Sequence, residues 1–387
     1  MQKIERAALI LAGADGGAMW SEEMLFQPLL RVQAWVLVRT DVDAVIFDGS
    51  DELRAQLLAV YPEDKVISSA DAANCEVGMT IAIPAPAFVT TDAMRGMIET
   101  VSTLGAMRLV RDGETIAYAA PGLLSEASVA SHDDGSSYVV DADEGSLVIG
   151  DYCALSQAED RANAIVCRRL QRAGVRIVRP ETVSIGADSV IEKGAVILPG
   201  CIIRHGSVVH AGAVIGPNTL LDDAEIGAGT TVNQSQVYSS KVGEGTTVGP
   251  FTHVRPECDV GSECRIGAFV ELKKSTIGDG TKAAHLTFVG DSTVGKNVNF
   301  GCGTITSNYD GLKKHRTVIG DGAFIGCNSN LIAPVTIGEN AYTAAGATVV
   351  KDVPPESLYI ARPETVIKEG WAKRVMALRE AKRQKKG

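Results

Sequence analysis

The sequence predicts a small α/β domain followed by an all-β parallel β-helix of hexapeptide repeats. Three observations carry this. Aliphatic residues recur every sixth position at Ile185, Ile191, Ile197, Ile203, Val209 and Ile215. After a phase slip they return as Val242, Val248, Val254, Val260, Ile266 and Leu272, and again as Ile319, Ile325, Leu331 and Ile337. A six-residue period fits neither a helix nor a simple strand; it is the repeat of a parallel β-helix. Second, the 387 residues include 40 glycines and only 5% aromatics, which suits a turn-rich solenoid better than one large conventional core. Third, residues 1–120 alternate short apolar runs with helical patterns, the signature of an α/β unit.

In chain order, 7–11, 44–47 and 79–83 read as strands of a small parallel sheet, with helices over 51–60 and 91–103. Residues 121–154 are acidic and irregular. Residues 155–174 form a linker helix: they contain no proline, carry an apolar residue every three or four positions, and end at Gly174. The domain plan is therefore 1–154, a linker helix 155–174, a β-helix 175–368, and a basic tail 369–387 whose helix over 370–385 would cap the last coil. Within the β-helix, each hexapeptide forms one flat face of a triangular prism and three make a coil. The aliphatic residue fills the interior. Glycines such as Gly186, Gly216, Gly227, Gly243, Gly267, Gly278, Gly295, Gly320, Gly326 and Gly338 make room at the corners.

Charge is divided unevenly. Residues 1–154 carry 9 Lys and Arg against 24 Asp and Glu, a net of −15; the rest carry 28 against 23, a net of +5. A nucleic-acid partner for the first part is therefore not expected, and anionic ligands should prefer the second. No apolar run approaches a membrane span and no secretion signal opens the chain. The eight cysteines include no CxxC pair and read as free thiols of a cytoplasmic protein.

One stretch interrupts the repeat: TSNYDGLKKHRT, residues 306–317, a long polar loop of the kind solenoids use for binding. Around it, "KAAHLTFVGD", "NVNFGCGTITSNYDG" and "LIAPVTIG" resemble the acetyltransferase half of the bifunctional N-acetylglucosamine-1-phosphate uridylyltransferase / glucosamine-1-phosphate N-acetyltransferase family, over roughly residues 175–371. The resemblance implies a left-handed β-helix and a homotrimer whose site lies between subunits. It also implies acetyl transfer from acetyl-CoA, as co-substrate, to glucosamine 1-phosphate, in the supply of a cell-wall precursor. By the same resemblance His285 is the general base, a task suited to a histidine near neutral pKa. Arg255, Lys273 and Lys314 take the sugar phosphate, with Asn299 and the residue at 288 lining the sugar. Cys302, Asn308, Tyr309, Cys327, Ala345 and Arg362 take acetyl-CoA, several through backbone groups. Glu271 would orient His285. No metal and no tightly bound cofactor are implied for this half. Two positions depart from the family: Phe288 stands for a tyrosine and Cys327 for a serine.

The family's other half begins with a glycine-rich phosphate loop. Here residues 9–19 read LILAGADGGAM. Leu11, Ala12, Gly16 and Met19 match, but Ala14 replaces a glycine and Gly17 and Ala18 replace a Thr-Arg pair. The following SEEMLFQPL lacks the family's lysine. The metal-binding Gly-Asp-x-Pro-Leu is replaced by Pro84, Ala85, Pro86, Ala87 and Phe88, and ANCEVGMTIAI offers no base-binding segment. Residues 1–154 thus resemble a shortened, degenerate nucleotidyltransferase, with Mg²⁺ needed only if it were active. Alternatives are a different amino-sugar phosphate acceptor, a fully bifunctional enzyme, a non-catalytic trimeric scaffold, or a zinc hydratase using His205 and His210. The last lacks a third histidine, since none lies between His132 and His205.

Overall fold

The computed structural model describes residues 2–11, 18–24, 27–111, 114–131, 137–143, 145–361 and 366–384. The first part is built on a seven-stranded sheet. Its order is Tyr138–Asp141, Met107–Arg111, Glu114–Pro121, Glu76–Ile83, Lys3–Ile10, Ala44–Ile46, Val66–Ile67. The expected strands and helices are present with shifted ends, but the sheet is not purely parallel. Glu114–Pro121 runs antiparallel to both of its neighbours. Only Asp112 and Gly113 separate it from Met107–Arg111, too few for a parallel crossover. The helix Leu29–Arg39 was not anticipated; its face of Leu29, Leu30, Val32, Val36 and Leu37 is buried. The stretch 121–154, expected to be irregular, includes the strand Tyr138–Asp141, which pairs in parallel with Met107–Arg111.

The helix Thr91–Leu104 buries Met94, Met97, Ile98 and Val101, a one-sided 3.6-residue stripe. Thr90 caps it by accepting the Ala93 N–H at 3.1 Å. The linker helix, Tyr152–Arg172, starts at Asp151, which accepts the Ala154 N–H at 2.8 Å. It is stitched to the first coil by Asn163, whose amide donates to the Val183 carbonyl and accepts from the Ile185 N–H. Among the described residues no helix is long and apolar enough to cross a membrane.

The second part is one continuous parallel ladder of 26 short strands, the hexapeptide β-helix expected. Ser184 pairs with Ile202, Val190 with Val208 and Val196 with Val214, so one coil takes eighteen residues. The phase slip is structural: Leu220–Ile226 runs through a corner as one bent strand, and Leu220 pairs with Gln236, sixteen residues on. The six-residue aliphatic positions are all buried. Buried hydroxyls close the corners from within. Thr246 accepts the Cys264 N–H at 2.9 Å and donates to the Gly261 carbonyl at 2.9 Å; Thr281 does the same for Val298 and Gly295. At the insertion the coil lengthens to twenty-five residues, with Ser292 pairing Thr317. Thr306 and Thr317 lie in strands, so the loop itself is 308–316. The C-terminal helix, Trp371–Gln384, does not cap the last coil as anticipated: Trp371, Met376 and Leu378 are exposed. Its charged sequence leaves no apolar stripe broad enough to pack. All eight cysteines are free thiols.

The corners dictate small residues by contact. A Cβ on Gly267 would stand 2.0 Å from the Ala284 carbonyl oxygen of the next coil. A Cβ on Gly96, in the helix Thr91–Leu104, would meet nothing within 4 Å. Gly267→Ala should therefore destabilise the protein by about 3 kcal/mol or more, because backbone must shift. Gly96→Ala should stabilise it by roughly 0.5–1 kcal/mol. Thermal melts of the two variants check both signs.

Candidate functional site

Two groups of the residues singled out in the sequence are assembled by the β-helix, at the two ends of one prism face. The first is a column at a corner. His285 is paired alongside Ala268. The pairs Ala283–Phe300, Phe300–Ile325 and Ile325–Thr343 carry the same register downward. His285, Cys302, Cys327 and Ala345 thus stack one per coil, about 4.8 Å apart. The stacking is fixed by backbone bonds, Asn328 N–H to the Cys302 carbonyl and Gly346 N–H to the Cys327 carbonyl. All four residues are exposed. The next residue at each level takes a left-handed conformation: φ is 58° at Phe269, 37° at Leu286, 78° at Gly303, 54° at Asn328 and 75° at Gly346. Asn299 sits on the strand leading into this corner, between Lys282 and Phe324.

The second group is a cation cluster at the far end of the face. Lys273 reaches Asp291 at 3.6 Å, and both side chains are largely buried. The close approach of the Lys314 ammonium, reaching in from the inserted loop, is the main cause that holds the Lys273 ammonium below its ordinary value. Burial and the charges of Lys314 and Arg255 add to this, and Asp291 opposes it. Arg255 is paired with Glu271 at 2.9 Å. Glu271, expected to orient His285, therefore serves Arg255 instead; it lies in register with Phe288, three residues beyond the histidine. Among the described residues no hydrogen bond reaches the His285 ring.

The cluster includes parts that the sequence did not single out. Asp291 sits at φ 48°, ties down Lys273 and accepts the Asn308 amide. Asn308, expected on acetyl-CoA, so belongs to the cation cluster. Phe288 is there too, since a Cβ on Gly290 would meet both the Phe288 ring and the Asn308 amide. The "VGD" of the KAAHLTFVGD motif marks Asp291 in the sequence, but its partner, Asn308, becomes visible only when the coil closes.

The loop itself is held by Asp310. Its carboxylate accepts the Leu312 and Lys313 N–H groups at 2.8 and 2.7 Å and meets the His315 ring at 2.6 Å. Tyr309 and Lys314 bridge across the loop, and the exposed Tyr309 donates to the Gly311 carbonyl. Arg362 lies outside the described residues, as do residues 12–17 of the glycine-rich run. His205 faces Asp222 at 3.7 Å, and His210 lies between Glu192 and Glu225, at 3.1 and 3.6 Å. Among the described residues no group of three His, Cys, Asp or Glu side chains is arranged to hold a metal ion.

His285 and the cations do not meet within one chain. Lys273 pairs with Gly290, five residues along the strand from His285, a separation of roughly 16 Å.

The repeats at residues 182–217, 239–274 and 316–351 match the bacterial transferase hexapeptide family. In sequence the chain is 47% identical over 240 residues to the bifunctional protein GlmU of a Geobacillus species, covering 62% of this chain and 52% of that protein. It is 51% identical over 198 residues to that of Clostridium acetobutylicum, covering 51% of this chain and 43% of that protein. The chain spans about half the length of these relatives. Among solved structures, an Arabidopsis UDP-N-acetylglucosamine acyltransferase overlaps 46% of this chain and 70% of its own, at 19% identity and TM-score 0.34.

The hydrogen bonds and the His315 contact hold the Asp310 carboxyl far below the usual range. A carboxylate with a depressed folded-state pKa contributes its full stabilisation above the ordinary aspartate pKa of about 4 and loses it as pH falls further. Protection of the Leu312 and Lys313 amides, followed by NMR exchange, should therefore be constant above about pH 5 and weaken on acidification below about 4. In Asp310→Asn it should be lower at neutral pH and flat over the same range.

Proposed function

We propose that this chain, which matches the bifunctional GlmU proteins in sequence and in its hexapeptide repeats, transfers the acetyl group of acetyl-CoA to the amine of glucosamine 1-phosphate. The observation that carries this reading is the convergence of Lys273, Lys314 and Arg255, crowded enough to push one ammonium below its ordinary value. Such a cluster is relieved by a dianion, and a sugar phosphate supplies one. His285, at the other end of the same face, takes the proton as the amine nitrogen attacks the thioester carbonyl. The carbon–sulfur bond then breaks, and the departing coenzyme A thiolate recovers a proton. The column of Cys302, Cys327 and Ala345 offers backbone groups at one-coil intervals for the extended acetyl-CoA. Tyr309 and Arg362 join its binding in this reading, and Asn299 holds the sugar.

A site of this kind needs more than one copy of the chain. His285 and Lys273 of one β-helix are too far apart to touch the same sugar, so the base of one copy works with the cations of the next. A homotrimer puts three such pairings between adjacent prisms. The corner above His285 suits that packing. Phe251 and Phe269 stack there with ring centroids 5.4 Å apart, and with Leu286 they stand 54%, 62% and 60% exposed. Bulky residues at positive φ are disfavoured, which favours a use for this apolar edge.

Phe288 favours a second reading, in which the acceptor is another amino-sugar phosphate. It sits beside the cations and offers no hydroxyl. An acceptor screen with acetyl-CoA separates the two. No uridylyl transfer is assigned to residues 1–154. They carry a net charge of −15 and lack the family's lysine and metal-binding aspartate. At the glycine-rich run, where no Lys or Arg lies between Arg6 and Arg31, a triphosphate would be repelled by several kcal/mol unless cations offset it.

His285→Ala should lower acetyl transfer by roughly 10²- to 10⁴-fold with the fold intact. Lys273→Ala should mainly raise the KM for the sugar phosphate and abolish activity at low substrate. If the site is shared, co-expressing the two variants should restore up to roughly a quarter of wild-type turnover, because mixed trimers regain intact pairings. No recovery would refute the shared site. The full protein should release no pyrophosphate from UTP and N-acetylglucosamine 1-phosphate, even with Mg²⁺; steady release would restore a bifunctional enzyme.

A further inference from the structure

The acidic N-terminal part contains a basic cleft that the proposed chemistry does not use. A cavity of about 1030 Å³ lies between the helices Leu29–Arg39 and Thr91–Leu104 and the linker helix Tyr152–Arg172. Seven arginines and two aspartates line it. Arg39, Arg95 and Arg111 come from residues 1–154, which hold only nine basic residues in all. Arg161, Arg168, Arg169 and Arg172 are all the arginines of the linker helix. Three arginines of a segment with a net charge of −15 are thus brought together with four from the linker helix.

Among the described residues no carboxylate forms an ion pair with Arg39, Arg95, Arg161, Arg168, Arg169 or Arg172. The Asp143 carboxylate accepts the Thr90 hydroxyl and, at 2.9 Å, the Ser146 N–H; Arg111 donates to the Asp143 and Ser146 carbonyls. The Arg161 Nη1 is buried without a hydrogen-bond partner among the described residues. Burial and the charge of Arg169 push the Arg39 guanidinium below its ordinary value. Arginine does not give up its proton in a protein, so the crowding persists as repulsion that an anion would relieve. Trp35, Val36, Phe88 and Ile165 supply an apolar wall, and the volume is that of a small-molecule site.

We propose that this cleft binds an organic polyphosphate of the nucleotide class, with its phosphates among the arginines and its base against the Trp35–Ile165 wall. None of the described residues of 9–19 lines it, and among the described residues no group of three His, Cys, Asp or Glu side chains is placed there for a metal. It is a binding site without uridylyl chemistry, independent of acetyl transfer. Its position, against the helix stitched to the first coil, suits a ligand that fixes how the two parts of the chain are held.

Calorimetry on the full chain with ATP, and separately with pyrophosphate, both without Mg²⁺, tests it. ATP should bind with a Kd of roughly 1–100 µM at moderate salt, tighter than pyrophosphate, and weaken as salt rises. Arg161→Gln should weaken ATP at least tenfold, and the exposed-site variant Arg168→Gln severalfold, with acetyl transfer unchanged in both as the check on folding. Absence of ATP binding would overturn the proposal. So would binding that Arg161→Gln leaves unchanged. A change in oligomeric mass in these variants with no ATP binding would make the cleft a protein–protein contact and overturn it equally.

Discussion

Every coil of the β-helix depends on the coil beneath it for its backbone hydrogen bonds. Strands two or three residues long have no stability of their own; each pairs with residues about eighteen positions away in both directions. This sets what the corners tolerate. The chain turns while still in contact with the next coil, so a Cβ at Gly267 or Gly243 would enter neighbouring backbone. The turning amides and carbonyls are answered by hydroxyls such as those of Thr230, Thr246 and Thr281, buried just inside. Without those hydroxyls, corner groups would be buried and unpaired, a cost of about 1–3 kcal/mol each.

The same ladder positions chemistry. Fixed register converts sequence spacing into vertical columns, and a column of exposed corner residues one coil apart is a rigid track for an extended ligand. It also keeps His285 and Lys273 at opposite ends of a face, because a flat strand cannot fold back. The inserted loop departs from the repeat without breaking it. The ladder resumes at Thr317, and the loop is held by the Asp310 turn and by Asn308 on Asp291. Lys314 is thereby delivered to Lys273.

The N-terminal part follows a different logic. Its sheet keeps an α/β core although the sequence holds no Lys or Arg between Arg6 and Arg31. A sheet packed by Met94, Met97, Ile98 and Val101 on one helix and by Leu29, Leu30 and Leu37 on another needs only volume and pattern. Chemistry, by contrast, needs particular charges in particular places. Three arginines of this part nonetheless meet four of the linker helix in a cleft between helices, with Arg111 at the end of a strand.

The sequence by itself determined the β-helix, because a six-residue aliphatic period has one regular solution and repeats often enough to be unmistakable. It also determined the place of the inserted loop and the identity of His285, Arg255, Lys273 and Lys314 as candidate groups. It misjudged the first sheet, because the two residues joining Met107–Arg111 to Glu114–Pro121 were not read as a hairpin. It gave the C-terminal helix a capping task that its exposed side chains do not perform. Only the tertiary structure decided that Glu271 answers Arg255 and not His285, that Asn308 joins the cations, and that six arginines from three helices share one cleft with Arg111 from a strand. These are meetings of residues distant in the chain. Periodicity fixes which face a residue takes, but which charges meet depends on how whole elements pack, and no local pattern encodes that.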